Sequence, residues 1–181
     1  MKALVISAYP ACGKSTIYNE WSIYSGNENG LKILDSDSSL FSWVYDENGN
    51  KTNIRNTDFP NNYIKYIKEH LKTEDIIFVS SHKVVREALY EAHIPYISIF
   101  PKDTLLNMKD WKLRFLDRGN TQSFIDFQME HWTEFIKDLE ADITPISKIR
   151  LDVNECSFAI TKDMIKHLLR RWRKLYNSKD K

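Results

Sequence analysis

Ala3-Leu4-Val5-Ile6-Ser7-Ala8-Tyr9-Pro10-Ala11-Cys12-Gly13-Lys14-Ser15-Thr16 is the stretch on which the reading of this chain turns. Residues 3–7 are continuously apolar rather than alternating, the pattern of a strand covered on both faces. Pro10 and Gly13 then mark a tight turn, and a helix is expected to begin near Lys14. A strand, a turn and a helix in that order aim backbone N–H groups and the positive end of a helix dipole at one point, which is a place for an anion.

Working outward, the same alternation of strand and helix recurs about five times. Leu31-Lys32-Ile33-Leu34 is a second apolar run leading into Asp35, and 48–53 is Gly/Asn-rich and reads as a surface turn or loop. Pro60 suits the first turn of a helix whose Tyr63, Ile64, Ile67 and Leu71 share a face. Ile76–Val79 is the next strand, followed by a helix through Val84, Val85, Ala88 and Leu89, and Tyr96–Phe100 is a fourth strand stopped by Pro101. Helices are expected over 104–117 and 121–140, the second carrying Phe124, Gln128, Trp132, Phe135 and Leu139. A weaker strand at 146–153 precedes an amphipathic helix over 161–176. The pattern predicts an α/β fold with a mostly parallel sheet, one domain over 1–181 and no internal repeat.

Composition narrows the function classes. Lys plus Arg number 26 against 25 Asp plus Glu, a net charge of +1, so there is no global basic field for gripping nucleic acid. With 42% hydrophobic and 28% charged residues the chain is globular rather than disordered. No apolar run approaches the roughly 18–20 residues of a membrane span, and the N-terminus has no signal-peptide layout. Two cysteines, Cys12 and Cys156, form neither a disulfide framework nor a metal spacing, so a reduced, cytoplasmic protein is expected.

Ala8-x-x-x-x-Gly13-Lys14-Ser15 resembles a P-loop, in the form that admits Ala at its first position. The resemblance implies that Ala11, Cys12, Gly13, Lys14, Ser15 and Thr16 surround the phosphates of ATP. Lys14 would reach the β- and γ-phosphates and the Ser15 hydroxyl would serve Mg²⁺. Ala8 stands where Gly is commoner, which requires a backbone without positive φ there. Cys12 sits among amides that would favour a thiolate, yet reads best as a small loop residue.

Asn-Lys-x-Asp, the guanine-reading segment of GTPases, is absent, and the 76–79 strand ends Ser80-Ser81-His82 with no acid. Size and layout are similar instead to the small P-loop kinases of the nucleoside monophosphate kinase-like group. That group includes the bacteriophage deoxynucleoside monophosphate kinases and the shikimate/gluconate kinase branch. The resemblance implies a three-layer P-loop kinase fold: a roughly five-stranded parallel sheet flanked by helices, an acceptor side over about 36–74 and a helical lid over about 104–122.

Asp35-Ser36-Asp37 is similar to the Asp-x-Asp of the hydroxyl-phosphorylating branch, which would make Asp35 the magnesium-side acid and Asp37 the base. Asp37 could equally cap a helix at Ser38-Ser39-Leu40-Phe41. Among the eight arginines, Arg114 and Arg118 lie one turn apart on one helix face. By resemblance they belong to a lid that closes over the transferring phosphate; the alternative is a solvated helix with Arg118 pairing Asp117 or Glu130. Arg55 and Arg86 could hold an acceptor's phosphate. His82, at a strand's carboxyl end, could touch substrate or replace the missing acid through water. Phe41, Trp43, Tyr45, Phe59 and Tyr63 either stack a base or pack as core. The basic helix with Lys166, His167, Arg170, Arg171, Arg173 and Lys174 reads first as a solvated face.

The expectation is therefore a Mg-ATP-dependent phosphotransferase acting on a (deoxy)nucleoside monophosphate. A hydroxyl kinase using Asp37 is the alternative, its acceptor a nucleoside, a sugar-like metabolite or a modified base in DNA. A third reading is a nucleotide-binding regulatory protein without transfer. Expected partners are ATP and a small-molecule acceptor, with no membrane, in a monomer or homodimer.

Overall fold

A computed structural model describes residues 3–24 and 30–177. The elements in chain order are β1 (Leu4–Ala8), α1 (Lys14–Tyr24), β2 (Ile33–Asp35), α2 (Ser39–Ser42), β3 (Trp43–Tyr45), β4 (Lys51–Arg55), α3 (Asn61–His70) and β5 (Ile76–Ser80). Then follow α4 (Lys83–Glu91), β6 (Tyr96–Pro101), α5 (Leu105–Asp117), α6 (Gln122–Glu130), α7 (Trp132–Ala141), β7 (Ser147–Leu151) and α8 (Lys162–Asn177).

Continuous apolar runs become interior strands because each is covered from two sides. Leu4, Ile6 and Ala8 of β1 join Ile76 and Phe78 of β5 and Ile97 and Ile99 of β6 in one core, closed by α1, α5, α6, α7 and α8. The alternate residues Val5, Ile77, Val79 and Tyr96 face a second core, closed by α3 and α4. Period-two side-chain alternation thus divides each run between two helical layers. The five-stranded sheet has the order β2-β5-β1-β6-β7, and every neighbouring pair is parallel. The chain leaves β1 toward one side of the sheet, to β2, and later crosses from β5 to β6 on the other side. The carboxyl end of β1 is therefore a topological switch point, where open α/β sheets bind ligands.

Three local features differ from the sequence expectation. The 121–140 stretch is two helices, broken at His131, yet Gln128 and Trp132 keep their inward spacing across the break. Pro101 ends β6 from inside, as its last residue, paired with Leu151. The polar 48–53 segment is the tip and first residues of an antiparallel hairpin, β3–β4. Asp46 Oδ1 accepts from the amides of Asn48 and Asn50 at its turn, and Thr52 Oγ1 donates to the Val44 carbonyl. Trp43 staples its open end, with the Lys51 ammonium 4.3 Å and the Arg55 guanidinium 3.8 Å from the ring centroid. This cation–π clasp joins residues distant in sequence, so no run of apolar residues announces it.

Candidate active site

Ala8 is the last residue of β1 and has no positive φ, so the sheet itself accommodates alanine at the motif's first position. The conformational demand falls elsewhere. Gly13 has φ 101°, and Ala11 adopts φ 61°, a left-handed conformation that costs a non-glycine residue about 1 kcal/mol or more. The turn is held by Tyr9 N–H donating to Ile99, Cys12 N–H to Tyr9 and Ile160 N–H to the Cys12 carbonyl at 2.8 Å. A Cβ on Gly13 would sit 3.4 Å from the Ile160 carbonyl oxygen. The 152–161 segment thus braces the loop from behind.

As first-turn residues of α1, Lys14, Ser15 and Thr16 have amides with no intrahelical acceptor. Lys14 Nζ lies back across the loop, donating to the Ala8 carbonyl at 2.7 Å and more distantly to Tyr9. Burial, chiefly, holds this ammonium below its ordinary pKa, and Arg118 acts the same way, against Asp35 and Asp37. A partly desolvated cation offers more to an incoming phosphate than a hydrated one. Burial pushes the Cys12 thiol up to about 12, overriding the lysine and arginines nearby, so it stays protonated. It is a small packed loop residue.

Ser15 Oγ donates to Asp35 Oδ2 at 2.9 Å, joining the start of α1 to the end of β2. These two hard oxygen donors suit Mg²⁺, which prefers one or two protein oxygens, water and substrate phosphates. Asp37 stands two residues on, exposed in the same cleft, with Oδ1 accepting from Ser39 N–H at 2.8 Å. The capping role read from sequence is thereby occupied by one carboxylate oxygen.

The cleft containing these groups measures about 1080 Å³ and includes Arg55, Ser80, His82, Arg114 and Arg118 in its walls. The Ser80 hydroxyl accepts from His82 N–H at 3.3 Å. Although His82 is exposed at the cleft, desolvation by the cleft wall, then the charges of Arg55 and Lys14, lower its pKa, so its imidazole is neutral near pH 7. Among the described residues neither Arg55 nor Arg118 has a carboxylate partner, so both cations are available to a ligand.

Two arginines stand differently from the sequence expectation. Arg86 does not line the cleft. Its side chain, 3% exposed, is ion-paired with Asp138 and Asp142, tying α4 to the end of α7. Asp142 also accepts from Tyr96 Oη and the Thr144 amide. Arg114 does line the cleft, but its donors are committed. Nε pairs with Asp110 at 2.5 Å, Nη1 donates to the Ala11 carbonyl at 3.3 Å and Nη2 to the Phe158 carbonyl at 2.9 Å. Its guanidinium lies 3.9 Å from the centroid of the Trp111 ring. Arg114 therefore braces the strained Ala11 turn against the 152–161 segment, while Arg118, one turn further on, keeps its donors for the cleft.

The acceptor-side aromatics also divide. Phe41, Phe59, Tyr63 and Tyr66 pack on one another as core, and Trp43 alone of the five named from sequence lines the cleft. Trp43 as the platform for Arg55 was not legible beforehand, because it follows from hairpin pairing between residues twelve apart, Trp43 opposite Arg55.

No family model and no curated protein sequence matches the chain. Among solved structures, a gluconokinase from Sinorhizobium meliloti 1021 superposes with a TM-score of 0.52 at 16% identity, covering 98% of this chain and 97% of that one. A second solved structure, that of APE1195, gives a TM-score of 0.40 at 17% identity over 98% of this chain and 96% of that one, too distant to bear on the fold. The five-stranded parallel sheet, its flanking helices and the likeness to the gluconokinase define a P-loop kinase fold. The likeness does not single out the nucleoside monophosphate kinases or their bacteriophage members. No helix among the described residues is long and apolar enough to cross a membrane.

Proposed function

We propose that the chain is a Mg-ATP-dependent phosphotransferase whose acceptor presents a hydroxyl group. One observation carries the reading: the cleft at the β1 switch point brings Lys14, the Ser15–Asp35 pair and Asp37 to one wall. The loop amides and Lys14 would bind the donor's phosphates, and Arg118 would neutralise charge on the transferring group. Ser15 Oγ and Asp35 would hold magnesium, which would supply charge neutralisation when bound. The Asp37 carboxylate would take the hydroxyl proton as the acceptor oxygen bonds to the γ-phosphorus and the bond to the ADP oxygen breaks.

The withdrawal of Arg86 into an ion-paired network favours the hydroxyl over a monophosphate acceptor. A monophosphate is already ionised and needs arginines more than a base. It remains the second reading, because Arg55 and Arg118 both face the cleft with no carboxylate partner among the described residues. In either case Arg55, steadied by Trp43, and neutral His82 would contact the acceptor.

The decisive experiment measures ADP formation with Mg-ATP against nucleoside monophosphates, nucleosides, sugar-like alcohols and single- and double-stranded DNA. ADP produced only with hydroxyl acceptors supports the reading. Turnover confined to monophosphates replaces it with the second. ATP binding without acceptor-dependent turnover would leave a regulatory nucleotide-binding protein.

A further inference from the structure

The basic helix singled out in the sequence plays no part in the cleft. Its Lys166, Arg170, Arg173 and Lys174 line a separate groove of about 650 Å³, whose other walls are Trp21 of α1, Leu31 and Leu169. Among the described residues, every charged one lining this groove is basic. In a chain whose net charge is only +1, that is a strong local segregation.

Lys166, Arg170 and Arg173 are only partly satisfied from within. Arg173 pairs with Asp75 at 2.9 Å, and Lys166 lies 4.0 Å from Asp163, a carboxylate that is 97% exposed. Arg170 has no ion-pair partner among the described residues. Residues 166, 170, 173 and 174 recur on one helical face over a rise of about 12 Å at 1.5 Å per residue. The rise of about 6 Å from Lys166 to Arg170 matches two successive phosphates of an extended strand rather than a single anion. The half-buried Trp21 adds an aromatic wall, and base–aromatic stacking needs an unpaired base.

We infer that the groove between α1 and α8 binds a single-stranded nucleic acid, with Lys166 and Arg170 contacting its phosphates and Trp21 a base. The groove lies at the opposite end of the strands from the cleft: Leu31 precedes β2 and Asp75 precedes β5, whereas the cleft is at the strands' carboxyl ends. Binding here is therefore independent of the transferase reading and can be measured without ATP.

The test is fluorescence anisotropy of a labelled oligothymidylate about twelve nucleotides long, titrated with the full chain between about 50 and 200 mM salt. Saturable binding is expected, with log affinity falling against log salt with a slope of about −1.4 for two neutralised phosphates. Lys166→Glu with Arg170→Glu should weaken binding at least about tenfold and flatten that slope. Lys109→Glu with Lys112→Glu, the same charge change on exposed positions of α5, should do much less. Unaltered melting temperatures establish that both doubles are folded. Absence of saturable binding at low salt overturns the inference. So does equal loss in the two doubles, which would make the effect one of net charge. Complete displacement by Mg-ATP overturns it too, by placing the strand in the cleft.

Discussion

The Ser15 hydroxyl donates to Asp35 at 2.9 Å, so the first turn of α1 and the carboxyl end of β2 meet across a parallel sheet in which β5 separates β2 from β1. The pair places two oxygen donors beside the phosphate loop without an acid at the end of β5, where Ser80 stands. On the proposed reading, Asp35 of the neighbouring strand would supply the carboxylate that the end of β5 lacks. Removing either partner should weaken the magnesium dependence of nucleotide binding while leaving the core packing intact.

Lys14→Ala should lower turnover by at least about 100-fold, the scale of losing one preorganised donor to developing charge. Lys14 hydrogen-bonds the Ala8 carbonyl and lies half-buried, so the thermal midpoint should be measured alongside. A folded variant with undiminished turnover would remove the loop from catalysis.

Asp37→Asn separates the acceptor classes. For a hydroxyl acceptor the general-base contribution predicts a loss of about 10²–10⁴ in kcat with acceptor binding retained. Asparagine can still accept from Ser39 N–H through its carbonyl oxygen, so the cap seen here survives the change. Near-normal turnover would point to a monophosphate.

Arg114 and Arg118 should respond differently although they share a helix face. Arg118→Ala should reduce kcat about 10²-fold or more with little change in stability, since among the described residues its side chain holds no hydrogen-bond or ion-pair partner. Arg114→Ala removes contacts to Ala11, Phe158 and Asp110 together. Its expected signature is a lower melting temperature and weaker ATP binding. Equal, purely kinetic effects from the two substitutions would contradict this division.

Arg86→Ala should cost about 3–5 kcal/mol in denaturant unfolding, because it strands Asp142 in a nearly buried site. Burial opposes ionisation of Asp142, but the Thr144 amide and hydroxyl and Arg86 hold its pKa below the ordinary 3.8. A variant of normal stability with a raised acceptor KM would instead place Arg86 in substrate binding.

His82 should titrate below its ordinary 6.5, in the direction set by burial and by Arg55 and Lys14. The unfolded chain then takes up the proton first as pH falls. Stability should rise with pH across the window between the folded pKa and 6.5 and be flatter there in His82→Gln. NMR titration of the imidazole checks the direction, and a bound anion should move the pKa upward. A free-protein value above 6.5 would exclude the cleft environment described.

The sequence alone determined the strand–turn–helix of the phosphate loop, the parallel sheet and the placement of Asp35 and Asp37 at and just beyond the end of β2. These are local: apolar runs of strand length, a glycine with positive φ, and residues only one or two steps from a strand end. The inward spacing of α8 was equally readable, because helical periodicity is written within one segment. Tertiary structure alone decided the duties of the arginines. Arg55, Arg86, Arg114 and Arg118 carry the same charge and look interchangeable in sequence. Pairing with Asp138 and Asp142 removes Arg86 from the cleft, carbonyls at Ala11 and Phe158 occupy Arg114, and Trp43 steadies Arg55. Such assignments depend on which groups long-range packing brings within hydrogen-bonding distance of a guanidinium, and no local pattern encodes that proximity.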